Sequence, residues 1–271
     1  KLLQELTSCL AANAISEITG ILNGTTNYIL TSMIRSGIPF EKALAEAQKL
    51  GYAEADPTAD IEGHDACRKL CILSALAFGR HVNPDQVQTE WITKITLADV
   101  DYAQTKDYKI KLLGRTICQS GKQLAFVAPH LVPTDNPLAG VEDVFNAISV
   151  RGNAIGDAMF YGRGAGKLPT ASAVVADIID LARDMTTNRH NGWDEGAPDL
   201  ITGNDNFPSR FYIRGTGSLD KAKAIFPTLT PLSRSGAPES EYAFLSPTTS
   251  KEQLDQELAP LNIQSIIRIL E

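Results

Sequence analysis

The sequence predicts a two-part α/β chain: a mixed-sheet domain over residues 1–185, a polar linker over 186–206, and a small α+β unit over 207–271. Three observations predict it. Strand-like runs rich in β-branched residues alternate with runs of helical period through the first two thirds of the chain. From Arg183 to about Pro208 the composition turns polar, through Thr186, Thr187, Asn188, Arg189, His190, Asn191 and Gly192. Beyond that break, elements follow in the order β-α-β-α-β, with room for one more strand near Pro231–Gly236.

Taken in order, residues 1–14 read as a helix with Leu2, Leu3, Leu6 and Leu10 on one side. Ile15–Leu22 reads as a strand, Asn23-Gly24-Thr25-Thr26-Asn27 as a small polar turn, and Tyr28–Ile34 as a helix. A strand, polar turn and helix in that order can point backbone N–H groups at a ligand, or can be an ordinary turn. Pro39–Leu50 is a short helix with Gly51 as its stop. Residues 62–78 form a second helix, apolar nearly all round apart from Asp65, Arg68 and Lys69, so it belongs in a core. Trp91–Thr96, Tyr108–Ile117 and Gln123–Pro129 read as strands, the last two joined by a Ser120-Gly121 hairpin turn. Further strands fall around Asn146–Val150 and Ala158–Tyr161, and an amphipathic helix runs from Pro169 to Ala182. In the tail, Arg210–Gly215, Tyr242–Leu245 and Ile263–Leu270 read as strands, and Ser218–Phe226 and Lys251–Leu258 as helices. That order suits a ferredoxin-like unit.

Composition narrows the function. With 43% hydrophobic and 21% charged residues in 271, the chain is globular rather than disordered. A net charge of -7 gives no support for a nucleic-acid partner, which calls for clustered Lys and Arg. No apolar run approaches the roughly 20 residues of a membrane span. Cys9, Cys67, Cys71 and Cys118 are scattered and read as reduced thiols of a cytoplasmic protein, and no metal site is expected. Lys1–Leu6 lacks an initiator Met and a signal-like layout, so a fragment boundary is expected there.

The stretch with most chemistry is Gly51-Tyr52-Ala53-Glu54-Ala55-Asp56-Pro57, followed by Asp60-Ile61-Glu62-Gly63-His64-Asp65-Ala66-Cys67-Arg68-Lys69. Asp65 and Lys69, four apart, share a helix face where the acidic loop delivers Glu54 and Asp60. A lysine held by an acid, partly desolvated on a buried helix, can pass a proton to and from a small cationic substrate. By spacing alone the same pair could be an ordinary ion pair worth about 0.3–0.5 kcal/mol. Gly162-Arg163-Gly164-Ala165-Gly166 lets backbone approach a ligand closely, or is a plain tight turn; it lacks the spacing of a dinucleotide fingerprint.

These blocks, with Gly20–Leu30, closely resemble homoserine dehydrogenase over roughly residues 1–185. The resemblance implies a mixed-sheet substrate-binding and dimerisation domain, and a tail that looks like an ACT-type regulatory unit. It implies interconversion of L-homoserine and L-aspartate 4-semialdehyde by hydride transfer with NAD or NADP, in threonine and methionine biosynthesis. By the same resemblance Lys69 is the general acid/base, Asp65 binds substrate and orients Lys69, and Glu54 holds the substrate amino group. Gly51, Gly164 and Gly166 approach the cofactor. A homodimer or tetramer, a monovalent cation held largely by upstream residues, and an amino-acid effector such as threonine at the tail are further implications. One departure stands out: no Gly-x-Gly-x-x-Gly follows an early strand, so the family's Rossmann domain is expected upstream of residue 1, and these residues alone are expected not to turn over homoserine. The competing expectation is a non-catalytic amino-acid-sensing dimer module, which would have no need of Glu54, Asp65 and Lys69 together.

Overall fold

The computed structural model describes residues 10–119, 121–183 and 192–271. The expected helix over 1–14, the Ser120 half of the hairpin turn and the most polar part of the linker lie largely outside the described residues. Among the described residues eleven strands form one mixed sheet in the order β6-β5-β1-β3-β4-β11-β8-β10-β9, with β2 and β7 also on β4. They are β1 (Ile15–Ile21), β2 (Gln88–Thr89), β3 (Tyr108–Gln119), β4 (Lys122–Pro133), β5 (Phe145–Gly152), β6 (Gly156–Arg163), β7 (Ile201–Thr202), β8 (Phe211–Thr216), β9 (Thr230–Leu232), β10 (Glu241–Leu245) and β11 (Asn262–Ile269). The helices are α1 (Gly24–Ser36), α2 (Phe40–Lys49), α3 (Thr58–Ile61), α4 (His64–Phe78), α5 (Leu97–Gln104), α6 (Lys167–Arg183), α7 (Leu219–Ile225) and α8 (Lys251–Leu258).

Alternation along the strands sorts the core into two faces. Leu112, Val127, Tyr212 and Ala243 pack with Leu30 and Met33 of α1, Ala43 of α2, Leu70 of α4 and Tyr102 of α5. Phe211, Ile213 and Phe244 face the other way, onto Ala222 of α7 and Leu254 and Leu258 of α8. The tail is thus a β-α-β-β-α-β unit, with the expected extra strand present as β9. It is not detached. Strand β11 pairs with β8 on one side and, at Arg268 and Ile269, with His130 and Leu131 of β4 on the other. One flank of β4 is therefore shared by three short pairings in turn: β7 at Gln123–Leu124, β2 at Phe126–Val127 and β11 at His130–Leu131.

The two units are also joined by buried charge. Asp99 of α5 takes hydrogen bonds from Arg214 Nε at 2.9 Å, Arg214 Nη2 at 3.2 Å and the Tyr212 hydroxyl at 3.1 Å. Burial works against the Arg214 charge, and the hydrogen bonds and charge of Asp99 outweigh it. Burial and the Asp99 charge likewise push the Tyr212 hydroxyl upward.

Several elements differ from the sequence expectation. Trp91–Thr96 is not a strand: Ile92 and Ile95 are both buried, three apart rather than alternating, and Ile95 N–H closes a turn onto Ile92 C=O at 3.1 Å. Helix α5, which the sequence reading lacks, starts straight after it with a capping box between Thr96 and Asp99. The polar run after β1 is no separate turn. Asn23 caps α1, and Thr25, Thr26 and Asn27 are buried in its first turn. Part of the expected linker is packed: Leu200 is buried and β7 pairs with β4. Helix α6 forms as expected, but none of its residues is buried, and Leu168, Val174 and Ile178 are exposed. Cys67 and Cys71 are core thiols, and among the described residues no group of three or more His, Cys, Asp and Glu is placed to hold a metal.

Candidate active site

A cleft of about 480 Å³ opens where the start of α1, the Leu50–Tyr52 loop, α3, α4 and the end of β6 meet. Its lining includes Asn23, Gly51, Asp60, Asp65, Lys69, Asn146, Arg163, Gly164 and Gly166. A more apolar cleft of about 380 Å³ adjoins it, sharing Lys69, Asn146, Arg163 and Gly164. A larger one, about 630 Å³, lies between Gln88–Lys94 and β11, and burial raises the Glu90 carboxyl there. None of the residues that the sequence singles out lines it.

Helix α4 delivers the central pair. Gly63 supplies the left-handed backbone before the helix (φ 79°), in a place where a Cβ would come within 2.8 Å of Thr89 Cγ2. Ala66, Leu70 and Leu73 bury the opposite face, leaving Asp65 and Lys69 toward the cleft. Lys69 Nζ donates to Asp65 Oδ2 at 2.7 Å and to the Leu22 carbonyl at 3.1 Å. An ammonium has three donors, so one remains for a ligand. The Lys69 side chain is 47% exposed, because the stripe of α4 that bears it faces the cleft mouth rather than the sheet.

Asn23 ties the carboxylates together. Its Nδ2 donates to Asp60 Oδ1 at 2.7 Å and to Asp65 Oδ2 at 2.9 Å, while its Oδ1 accepts the Thr26 N–H at 2.8 Å. One 5%-exposed side chain thus caps α1 and holds two acids side by side. Asn146, from β5, donates Nδ2 to the same Leu22 carbonyl at 3.2 Å, and its Oδ1 is buried without a hydrogen-bond partner among the described residues. Gly164 is required by this packing, since a Cβ there would lie 2.3 Å from Asn146 Nδ2. Gly51 and Gly166 both have positive φ, 75° and 120°.

Of the residues that the sequence picks out, the structure gathers Asp65, Lys69, Gly51, Gly164 and Gly166 around one cleft. Glu54 is not among the lining residues; it is exposed, and its carbonyl accepts from Gln48 Nε2 at 3.1 Å. Asp60, which the acidic loop was expected to deliver, lines the cleft too, and so do Asn23, Asn146 and Arg163, which were not singled out one by one. The strand-to-helix step at Asn23 was the available signal for that residue.

Comparison with known proteins agrees with this geometry. A family model described as homoserine dehydrogenase matches residues 2–179. The homoserine dehydrogenase of Pseudomonas aeruginosa is 47% identical over 215 residues, covering 76% of this chain and 49% of that protein. That of Neisseria gonorrhoeae is 51% identical over 183 residues, covering 67% and 42%. The chain therefore spans about half the length of the curated relatives it matches. A Thiobacillus denitrificans homoserine dehydrogenase structure superposes with a TM-score of 0.88 at 33% identity, over 100% of this chain and 67% of the other. The Staphylococcus aureus enzyme at pH 6.0 gives 0.78 at 38%, over 96% and 66%. A hyperthermophilic archaeal homoserine dehydrogenase mutant in complex with NADPH gives 0.56 at 30%, over 69% and 54%. Since the family match takes in every element around the cleft, from the cap of α1 to the first turns of α6, the chain belongs to the homoserine dehydrogenase family.

Proposed function

We propose that this chain is the substrate-binding and catalytic portion of a homoserine dehydrogenase, acting on L-homoserine and L-aspartate 4-semialdehyde in the cytoplasm. The observation that carries this is the Lys69 ammonium, held by Asp65 and the Leu22 carbonyl at the mouth of a cleft lined by further acids. The fixed carboxylates suit a substrate ammonium. Lys69 as amine takes the proton from the C4 hydroxyl as it becomes a carbonyl, and as ammonium returns it in the reverse direction. Asp65 keeps Nζ in place and compensates its charge. NAD or NADP, when bound, supplies hydride chemistry. The residues that fit its reactive end are the Gly164–Gly166 turn, where Asn146 leaves no space for a side chain, with Gly51 opposite. The sequence holds no Gly-x-Gly-x-x-Gly, so a separate dinucleotide-binding part would hold most of the cofactor. The exposed apolar stripe of α6 beside that turn is where such a part would seat.

In protein completed with a dinucleotide-binding part, Lys69→Ala is expected to lower kcat by about 10²–10⁴-fold, the usual scale of general acid–base catalysis. Turnover equal to wild type would remove Lys69 from the mechanism. For the tail, the β-α-β-β-α-β order supports an ACT-type unit that binds an amino-acid effector such as threonine, and exposed Ile155, Met159 and Tyr161 at the β6 edge support self-association. Calorimetry of the whole chain with threonine and sedimentation of the chain alone test these two readings.

A further inference from the structure

The flank of β4 changes partner at Pro129. Strand β2 pairs with it as far as Val127, and β11 takes over at His130. Between them lies the cleft of about 630 Å³, within the roughly 300–1,000 Å³ of small-molecule sites. Five consecutive residues of β11, from Ile263 to Ile267, line it. Side chains alternate across a strand, so a backbone edge is what presents five in a row to one space. Among the described residues no strand covers that edge: β11 meets β8 on its other side, and β4 only at Arg268 and Ile269. Open backbone donors and acceptors thus form one wall, and Trp91, Ile263 and Ile266 add apolar surface.

Of the four charged side chains that line this cleft, two are committed. Asp205 accepts from Gln88 Nε2 at 2.9 Å, and Lys251 is bonded to Asp255. Glu90 and Lys94 are left. Glu90 is half-buried, and among the described residues its carboxylate has no hydrogen-bond donor and no cation in ion-pair contact. Arg268 attracts it, but that guanidinium is held by Ser209 Oγ at 3.1 Å and the Asn204 carbonyl at 3.2 Å, so burial prevails and raises the Glu90 carboxyl. Lys94 lies over the Trp91 ring, 5.6 Å from the centroid, with no acid on it among the described residues. A half-buried acid and a cation that do not meet each other, on one cleft, are what a zwitterion satisfies at both ends. The segment that carries Glu90 also backs onto the start of α4. Ile92 N–H donates to the Ile61 carbonyl at 3.2 Å, and Thr89 Cγ2 lies 2.8 Å from where a Gly63 Cβ would be. Ile61 and Gly63 fall between Asp60 and Asp65, so a ligand that fixes Glu90 also bears on the substrate cleft.

We propose that this cleft binds a free α-amino acid, its ammonium on Glu90 and its carboxylate on Lys94; this rests on the amino-acid effector reading of the tail given above. The test is calorimetry of the full 271-residue chain with L-threonine, L-methionine and L-isoleucine, alongside tryptophan fluorescence. At least one of the three should bind the wild-type chain and change its fluorescence. Trp91→Phe should remove that change although Trp193 remains. Glu90→Gln, which keeps the shape and removes a partnerless acid, should weaken binding at least tenfold. Lys94→Met, on the exposed side, should weaken it severalfold, and the amide of the same amino acid, which lacks the carboxylate, should bind wild type and Lys94→Met alike. Equal binding of the amino acid by wild type and Glu90→Gln would overturn the assignment and leave the effector reading standing, with its site elsewhere. An undiminished fluorescence change in Trp91→Phe would do the same. If the wild-type chain binds none of the three, the effector reading falls and this inference with it.

Discussion

Lys69 and Asp65 meet at 2.7 Å with side chains 47% and 32% exposed; Arg214 and Asp99 meet at 2.9 Å with side chains 7% and 0% exposed. The two pairs have similar chemistry and differ in surroundings. Around Asp99, every partner is protein: Arg214, Tyr212, Thr96 and the start of α5. Around Lys69 one donor is left over and the cleft is open. Burial with full satisfaction makes a joint between two units; partial exposure with one spare donor makes a site.

The largest expected effect breaks the buried side of this contrast. Asp99→Asn keeps the shape but strips the buried Arg214 of its closest counter-charge, leaving only Glu241 at 3.5 Å, which costs about 3–5 kcal/mol in urea denaturation. Replacing both partners, as Asp99→Leu with Arg214→Met, should cost much less than Asp99→Asn plus Arg214→Met separately, because no lone charge remains. Equal costs would mean that the network is not a charge-coupled joint.

Lys111 sharpens the comparison, being a fully buried cation whose hydrogen-bond partners are the Asn27 Oδ1 at 3.0 Å and the Val141 carbonyl. Burial pulls its pKa down to about 8, against 10.5 ordinarily. The unfolded chain therefore binds more protons than the folded one between about pH 8 and 10.5, so this group makes stability rise with pH across that window. The full span corresponds to about 3 kcal/mol, and Lys111→Met should flatten the rise in denaturation midpoints measured from pH 8 to 10. An unchanged pH dependence would show that Lys111 is charged as readily inside as outside.

Gly164→Ala acts on the cleft. The added methyl displaces the Asn146 amide, and overpacking of this kind costs about 1–3 kcal/mol, with a larger loss of L-homoserine binding than of thermal stability expected. The smallest stability effect belongs to the active pair itself: Asp65→Asn should change the unfolding free energy by no more than about 1 kcal/mol, the range of exposed ion pairs. A cost like that of Asp99→Asn would place Asp65 among the structural acids instead.

The sequence makes α4 and its Asp65–Lys69 face legible because helical spacing is a local property. The same holds for the Gly51 stop and the Gly164–Gly166 turn. What it hides is long-range. Asn23 bridges residues 37 and 42 positions away, and Asn146 meets Leu22 across 124. No local pattern marks such partners. Glu54 differs from these: the family resemblance gives it the substrate amino group, while in the structure it is exposed and outside the lining of the cleft. Trp91–Thr96 misleads because β-branched content favours a strand, while the Thr96–Asp99 capping box, three residues apart, carries the true signal.

The shared flank of β4 has a consequence for how the molecule is made. Strand β11 follows every other described strand in the chain, yet it sits in the middle of the sheet, between β4 and β8. During synthesis at about 5–20 residues per second, the His130–Leu131 edge of β4 waits for it with unpaired backbone groups. Only the short β2 and β7 cover the neighbouring stretch meanwhile. The nascent chain thus passes through a stage in which its longest hairpin offers an open edge to any other extended segment, and closing that edge is the event that joins the two halves.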